Sequence, residues 1–258
     1  MNPTRRALFA APLLLTAAAP AKTPLAAVPI SRLDTPWWRA RHLEKLAELR
    51  RGRIDLVFLG DSITQDWERS GPPWGDFRPG WQRYYGDRHA INLGFSGDAT
   101  SHLLWRLRNG EIDGIAPRLA VILIGANNLG RVHWPVEDNV QGIETVVDET
   151  LRRLPQTQVL LLGVLPSERS DWASQSTLAI NRALAARFGS RAVPRVHYLD
   201  IGGVLLRQGA IDRTMFFDPQ LSPPEPPLHP SVQGQERLAA AMEPTIAALL
   251  GDRDHNRG

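Results

Sequence analysis

No cysteine occurs in the 258 residues, which removes disulfides, thiolate nucleophiles and thiolate metal ligands at once. His, Asp and Glu never fall at metal-ligand spacing, so no metal centre is expected. The first strand is not followed by Gly-x-Gly-x-x-Gly, and Gly94 and Gly97 alone do not build a dinucleotide-binding turn. No cofactor is therefore expected. The apolar run Ala10 to Ala19 is too short to span a bilayer of roughly 30 Å. Charge of one sign is not in excess either, with 30 basic against 27 acidic residues. The longest basic run, Arg50-Arg51-Gly52-Arg53, reads as a solvated helix end, so a nucleic-acid partner is not expected.

What is present is 43% hydrophobic and 22% charged, which suits one medium-sized domain. Thr4-Arg5-Arg6 followed by a short apolar run and Ala19-Pro20-Ala21 has the form of a twin-arginine export signal. The expected layout is an export signal over 1–21, a linker over 22–35, one domain over 36–251 and a tail over 252–258. Export would place the protein in the periplasm or outside the cell. Without Arg5 and Arg6 the net charge falls from +3 to +1.

Residues 36–50 have helical periodicity, with Leu43, Leu46 and Leu49 on one side. Short apolar, β-branched runs follow: Ile54–Leu59, Ala90–Leu93, Leu119–Ile124, Val159–Leu165 and Val196–Asp200. Amphipathic stretches alternate with them, Ala99–Arg108, Val136–Arg153, Ala173–Phe188 and Val232–Leu250. Continuous apolar strands separated by helices predict a parallel sheet covered on both faces, a doubly wound α/β fold.

The first strand runs straight into Gly60-Asp61-Ser62-Ile63-Thr64. A serine at the carboxyl end of a parallel strand stands where open α/β sheets bind ligands. Two further strands end in Gly97 and Asn127. The backbone amides of Ser62 and Gly97 and the Asn127 side chain are candidate oxyanion donors. A serine nucleophile also needs a base, and the loop before the last helix supplies His229.

Gly60 to Thr64, Asn92 to Gly97, Gly125-Ala126-Asn127-Asn128 and Leu228-His229-Pro230 stand in the order of the GDSL/SGNH hydrolase family, which the chain resembles from about Trp37 to Leu250. Within that family, Asn92 to Asp98 and Leu104 to Glu111 are similar to the catalytic subunits of platelet-activating-factor acetylhydrolases. The resemblance implies a flavodoxin-like three-layer α/β/α sandwich with a five-stranded parallel sheet. It also implies metal-free ester hydrolysis, with Ser62 as nucleophile, His229 as base, and Ser62, Gly97 and Asn127 as oxyanion donors. Short acyl groups such as acetyl follow from the same likeness. The substrate would be a small-molecule or glycan ester, and the assembly a monomer or homodimer.

The chain departs from the family at the acid, because Asp-x-x-His would put an aspartate where Pro226 stands. Two carboxylates are available. Glu225 is nearer to His229, but Pro226 and Pro227 hold that stretch extended. Asp218 follows Met215-Phe216-Phe217, and the residues after it would then form a proline-rich excursion. Asp218 is the expected acid, with a Ser62–His229 dyad as a further option. The same acyl-enzyme would also serve an acyltransferase, and loss of the acid would suit a non-catalytic binding module. Asp61 reads as a turn residue, Asp98 as a helix N-cap, Asn128 as part of the strand-end loop, and His102, His197 and Trp105 as packing residues. Trp134 is a candidate for the groove wall.

Overall fold

The computed structural model describes residues 22–189 and 193–257. Five strands form one parallel sheet: β1 Leu56–Gly60, β2 Ala90–Gly94, β3 Leu119–Leu123, β4 Gln158–Leu162 and β5 Val196–Leu199, in the order β2-β1-β3-β4-β5. Alternate side chains point to opposite faces. Val57, Leu59, Ile91, Leu93 and Ile122 go to one core, and Leu56, Phe58, Leu119, Val121 and Leu160 to the other. Both faces are covered, so the strands are apolar almost throughout.

The helices are α1 Pro36–Glu48, α2 Ser62–Gln65, α3 Arg78–Tyr85, α4 Thr100–Arg108, α5 Ala126–Gly130, α6 Val136–Arg153, α7 Asp171–Phe188 and α8 Val232–Leu250. Leu103 and Leu107 of α4, Ile143 and Val147 of α6, and Ile180 and Leu184 of α7 fill the first core. Tyr85 of α3 and Leu238, Met242 and Ile246 of α8 fill the second. Local chemistry sets several ends. Glu137 and Asp138 open α6 and Arg152 and Arg153 close it, complementing the helix dipole. The Ser170 and Ser231 hydroxyls cap α7 and α8, and α8 stops at Gly251 with φ +62°, a left-handed C-cap.

Strand order reverses at β1, with β2 on one side and β3 on the other. That switch point opens a crevice beyond the carboxyl ends of the strands. Gly60, Gly94 and Leu123 lie level there, so α2 and α5 start on either side of the crevice.

Four expectations are corrected. The export signal lies outside the described residues, but residues 22–35 do not behave as a linker. Ala26 and Ala27 are buried, the Thr100 hydroxyl donates to the Ala26 carbonyl at 2.7 Å, and the Ile30 amide donates to Ser101. The segment is a strap held on α4. Residues 252–257 likewise fold back, with Asp252 accepting from Arg88 and the His255 amide donating to Glu243 at 2.7 Å. On α1 the inward face is Trp38, His42 and Lys45, with Leu49 just beyond, while Leu43 is 60% exposed. Polar partners turn the helix: Trp38 donates to Asp98, His42 contacts Glu111, and Lys45 donates to Glu68.

The fourth correction concerns Asp98. The N-cap of α4 is Ala99, whose amide donates to His102 Nδ1 at 2.9 Å. Burial, with Arg32, Arg106 and Arg131 nearby, pushes His102 down to about 4, so the imidazole is neutral and free to accept. Asp98 instead turns inward and meets Arg106, which is fully buried. Arg106 donates to Asp98 at 2.8 Å, to the Leu93 and Gly60 carbonyls at 3.0 Å each, and to Glu111. One planar fork thus joins the ends of β1 and β2 to the loop that carries Gly97.

Removing one partner of a buried ion pair strands the other charge, at about 3–5 kcal/mol. Arg106→Leu is expected to lose about that much unfolding free energy in urea titration. A loss below about 1 kcal/mol would refute the clamp.

Candidate active site

Ser62 opens α2 immediately after β1 and is largely buried. The Asp61 carboxylate caps that turn by accepting from the Ile63 amide at 3.0 Å. Ser62 Oγ lies 3.0 Å from His229 Nε2, and His229 Nδ1 lies 2.7 Å from Asp218 Oδ1. The second Asp218 oxygen accepts from the Leu228 amide at 2.8 Å and the His229 amide at 2.6 Å. Three hydrogen bonds therefore fix one buried carboxylate on one imidazole.

Backbone pairing explains how residues eleven apart meet. The Phe217 amide donates to the His229 carbonyl and the Ser231 amide to the Met215 carbonyl, with a bridge between Phe216 and Pro230. The intervening residues loop out, and the Glu225 amide donates to the Asp218 carbonyl at 3.0 Å. Glu225 itself is exposed. The structure thus brings Asp218, not Glu225, to the imidazole.

Asn127, on α5, spans the other candidate donors. Its Nδ2 donates to the Asp98 carbonyl at 3.0 Å and reaches Asp61 Oδ2 only at 3.5 Å. The amide thus touches the residue before Ser62 and the residue after Gly97. Gly97 has φ +75°, a conformation that favours glycine.

The electrostatics follow from burial. Burial opposes charge on His229, but the Asp218 hydrogen bond and the charges of Asp66, Asp218 and Asp61 outweigh it and raise its pKa. Burial also raises Asp61, to about 7, against the pull of the Ile63 amide, His229 and Arg169. In neutral form His229 donates from Nδ1 to Asp218 and accepts the Ser62 hydroxyl proton at Nε2. The arrangement supplies an activated hydroxyl, an oriented base and nearby N–H donors, which suits acyl transfer.

Several residues were not singled out in the sequence. Phe217 stacks on the His229 ring, with centroids 5.2 Å apart and planes 9° apart, and Trp74 packs edge-on against Phe217. A pair of aromatics flanking the acid was the available signal. Arg106 and Arg169 carry none, because a buried or half-buried arginine looks like a surface one in a sequence. Trp134 sits on the loop after α5 with its amide on the Asn128 carbonyl, while Phe217 stacks on the imidazole and is itself backed by Trp74. The Asn128 side chain ties α5 to Thr100 at 2.9 and 2.8 Å. Trp105 is half-buried against Trp38 and His42, and His197 reaches Gln158 at 3.0 Å. Among the described residues no group of His, Asp and Glu is placed to hold a metal ion.

The sequence profile of the GDSL-like lipase/acylhydrolase family matches residues 58–237. Relatives include platelet-activating factor acetylhydrolase IB subunit alpha2 of Rattus norvegicus, 32% identical over 201 residues, covering 77% of this chain and 81% of the relative. Subunit alpha1 of Homo sapiens is 29% identical over 223 residues, covering 86% and 87%. Among solved structures, a GDSL-like lipase from Bacteroides thetaiotaomicron superposes with a TM-score of 0.63 at 18% identity, covering 81% of this chain and 97% of that one. That likeness shows the fold.

Asp61 gives a pH test. Its carboxyl is raised from 3.8 to about 7 in the folded chain, so between those values the folded state holds a proton that the unfolded state has lost. Its stabilising contribution is whole below the unfolded value and is lost as pH rises towards about 7. Asp61→Asn removes the dependence. Relative to wild type, its stability by urea denaturation is expected to climb from about pH 4 to about pH 7 and then level. A flat difference would place the Asp61 pKa in the ordinary range.

Proposed function

The chain belongs to the GDSL-like lipase/acylhydrolase family and is a hydrolase acting on esters, and on that premise we propose that it is a serine esterase working through a Ser62–His229–Asp218 acyl-enzyme mechanism on short-acyl, acetyl-type esters. One observation carries this reading: the hydrogen-bonded chain from Ser62 Oγ to His229 at 3.0 Å and from His229 to Asp218 at 2.7 Å.

Ser62 Oγ attacks the ester carbonyl carbon while His229 Nε2 takes its proton. Asp218 stabilises the imidazolium and keeps the ring in the productive tautomer. The developing oxyanion accepts from the Ser62 and Gly97 amides and from Asn127 Nδ2, whose second N–H is held only by the 3.5 Å contact with Asp61. Collapse expels the alcohol, which receives the proton from His229. A water then gives its proton to His229 and attacks the acyl carbon, releasing the acid and restoring Ser62.

The acetyl preference is supported by the relatives named acetylhydrolases and by Phe217, stacked on the imidazole and backed by Trp74. The alcohol portion would be a sugar, a lipid-derived group or another small molecule. Arg5-Arg6 and the apolar run after them support export, which would place the enzyme in the periplasm or outside the cell.

Hydrolysis of 4-nitrophenyl acetate tests the reading. Ser62→Ala is expected to lose at least about 10³-fold in kcat/KM and Asp218→Asn about 10²–10⁴-fold, with Glu225→Gln within about twofold. Equal activity of Ser62→Ala and wild type would overturn the mechanism.

The pH profile gives a separate check, because only neutral His229 acts as base. The kcat/KM of wild type should rise with pH through a value above the ordinary 6.5. The remaining activity of Asp218→Asn should show that limb at lower pH, and an unmoved limb would remove Asp218 from its role.

A further inference from the structure

Two guanidinium groups flank α5, and among the described residues neither is paired with a carboxylate. Arg131 follows the helix directly and lies against Gly97: a Cβ placed on Gly97 would meet Arg131 Nη1 at 2.6 Å and Arg32 Nη1 at 3.5 Å. Arg32 is already paired with Asp98 at 2.8 Å. Arg131 is exposed.

Arg169 approaches from the loop before α7. It packs over Gly130 and donates from Nη2 to the Ala126 carbonyl at 2.6 Å, one residue before Asn127. Its Nε is buried with no acceptor. Burial lowers the Arg169 pKa while the charges of Asp61 and Asp218 act to raise it, so Arg169 lies within electrostatic reach of both. Asp61 is a weak counter-ion, because burial keeps it largely protonated up to about pH 7, and Asp218 is already engaged by His229.

An orphaned N–H on a partly buried cation costs free energy unless something completes it. The planar fork of arginine matches carboxylate and phosphate oxygens. We infer that Arg131 and Arg169 form an anion subsite beside Asn127, and that preferred substrates are esters carrying a carboxylate or phosphate near the scissile carbonyl. This rests on the esterase reading and narrows its substrate class. The alternative is a purely structural Arg169 that pins α5.

Matched acetyl esters separate the two. The probes are 4-acetoxybenzoate, its neutral methyl ester, and 4-acetoxyphenyl phosphate. In wild type the kcat/KM ratio of anionic to neutral ester should exceed one and fall with added salt. It should drop about tenfold in Arg131→Gln and further when Arg169→Gln is added. Arg169→Lys, which keeps the charge, should restore part of it. The phosphate and benzoate arms show which anion is preferred. A ratio unchanged by the substitutions, both esters losing equally, would leave Arg169 a positioning residue and overturn the subsite.

Thermal melting of Ser62→Ala supplies a readout that does not need turnover. Benzoate and phenyl phosphate should raise its Tm in proportion to concentration, and benzyl alcohol should not. Arg131→Gln in the same background, on an exposed side chain, should abolish the effect. An equal response with and without Arg131 would overturn the subsite even if the acyl-enzyme mechanism stands. A response lost with Arg131 would support the subsite even if ester hydrolysis through Ser62 fails.

Discussion

The buried Arg106 guanidinium holds the site together. A buried strand-end carbonyl needs donors, and that of Gly60 takes one from the Phe95 amide as well as one from Arg106. Arg106 supplies donors to Gly60 at the end of β1 and to Leu93 in β2, then anchors on Asp98 and Glu111. Its guanidinium also sits 4.0 Å from the Phe95 ring centroid. The nucleophile turn begins at Asp61 and the Gly97 loop sits just before Asp98. One cation therefore sets the distance between two sources of oxyanion donors.

A second layer of charge surrounds the imidazole. Asp218 touches it, while Asp61 and Asp66 act through space. Burial raises both Asp61 and Asp66 above the ordinary carboxylate range, which limits the negative charge gathered around one ring. A base that must gain and lose a proton each turnover benefits from that balance, since a deeper anionic well would hold the proton too tightly.

Much of this was legible in the residues. Parallel strands buried on two faces must be apolar, so their runs stand out; Ser62 and Asn127 sit where those runs break, and His229 sits in the loop before the last helix. The acid stayed open between Asp218 and Glu225 because the pairing of 215–217 with 229–231 is a tertiary event that no local pattern announces. The inner face of α1 departs from its apolar period for a related reason: Leu43 fits the helical period, yet Trp38, His42 and Lys45 find polar partners on other elements. Asp98 stands where caps stand, and only the buried Arg106 reveals why it turns inward. The strap at 22–35 and the fold-back at 252–257 are held by hydrogen bonds and ion pairs to residues distant in sequence, which composition does not encode.

The pairing of Phe216 with Pro230 has a consequence for how this loop can change. Its two ends are joined by backbone hydrogen bonds, and Asp218 and His229 both sit inside the closed end. Leu228 and Glu225 each give an amide to Asp218, and the residues between Asp218 and Glu225 mainly contribute chain length. Closure entropy grows only logarithmically with length, by about 0.6 kcal/mol per doubling. The proline-rich segment is therefore a place where insertions are cheap and leave the acid seated on its base.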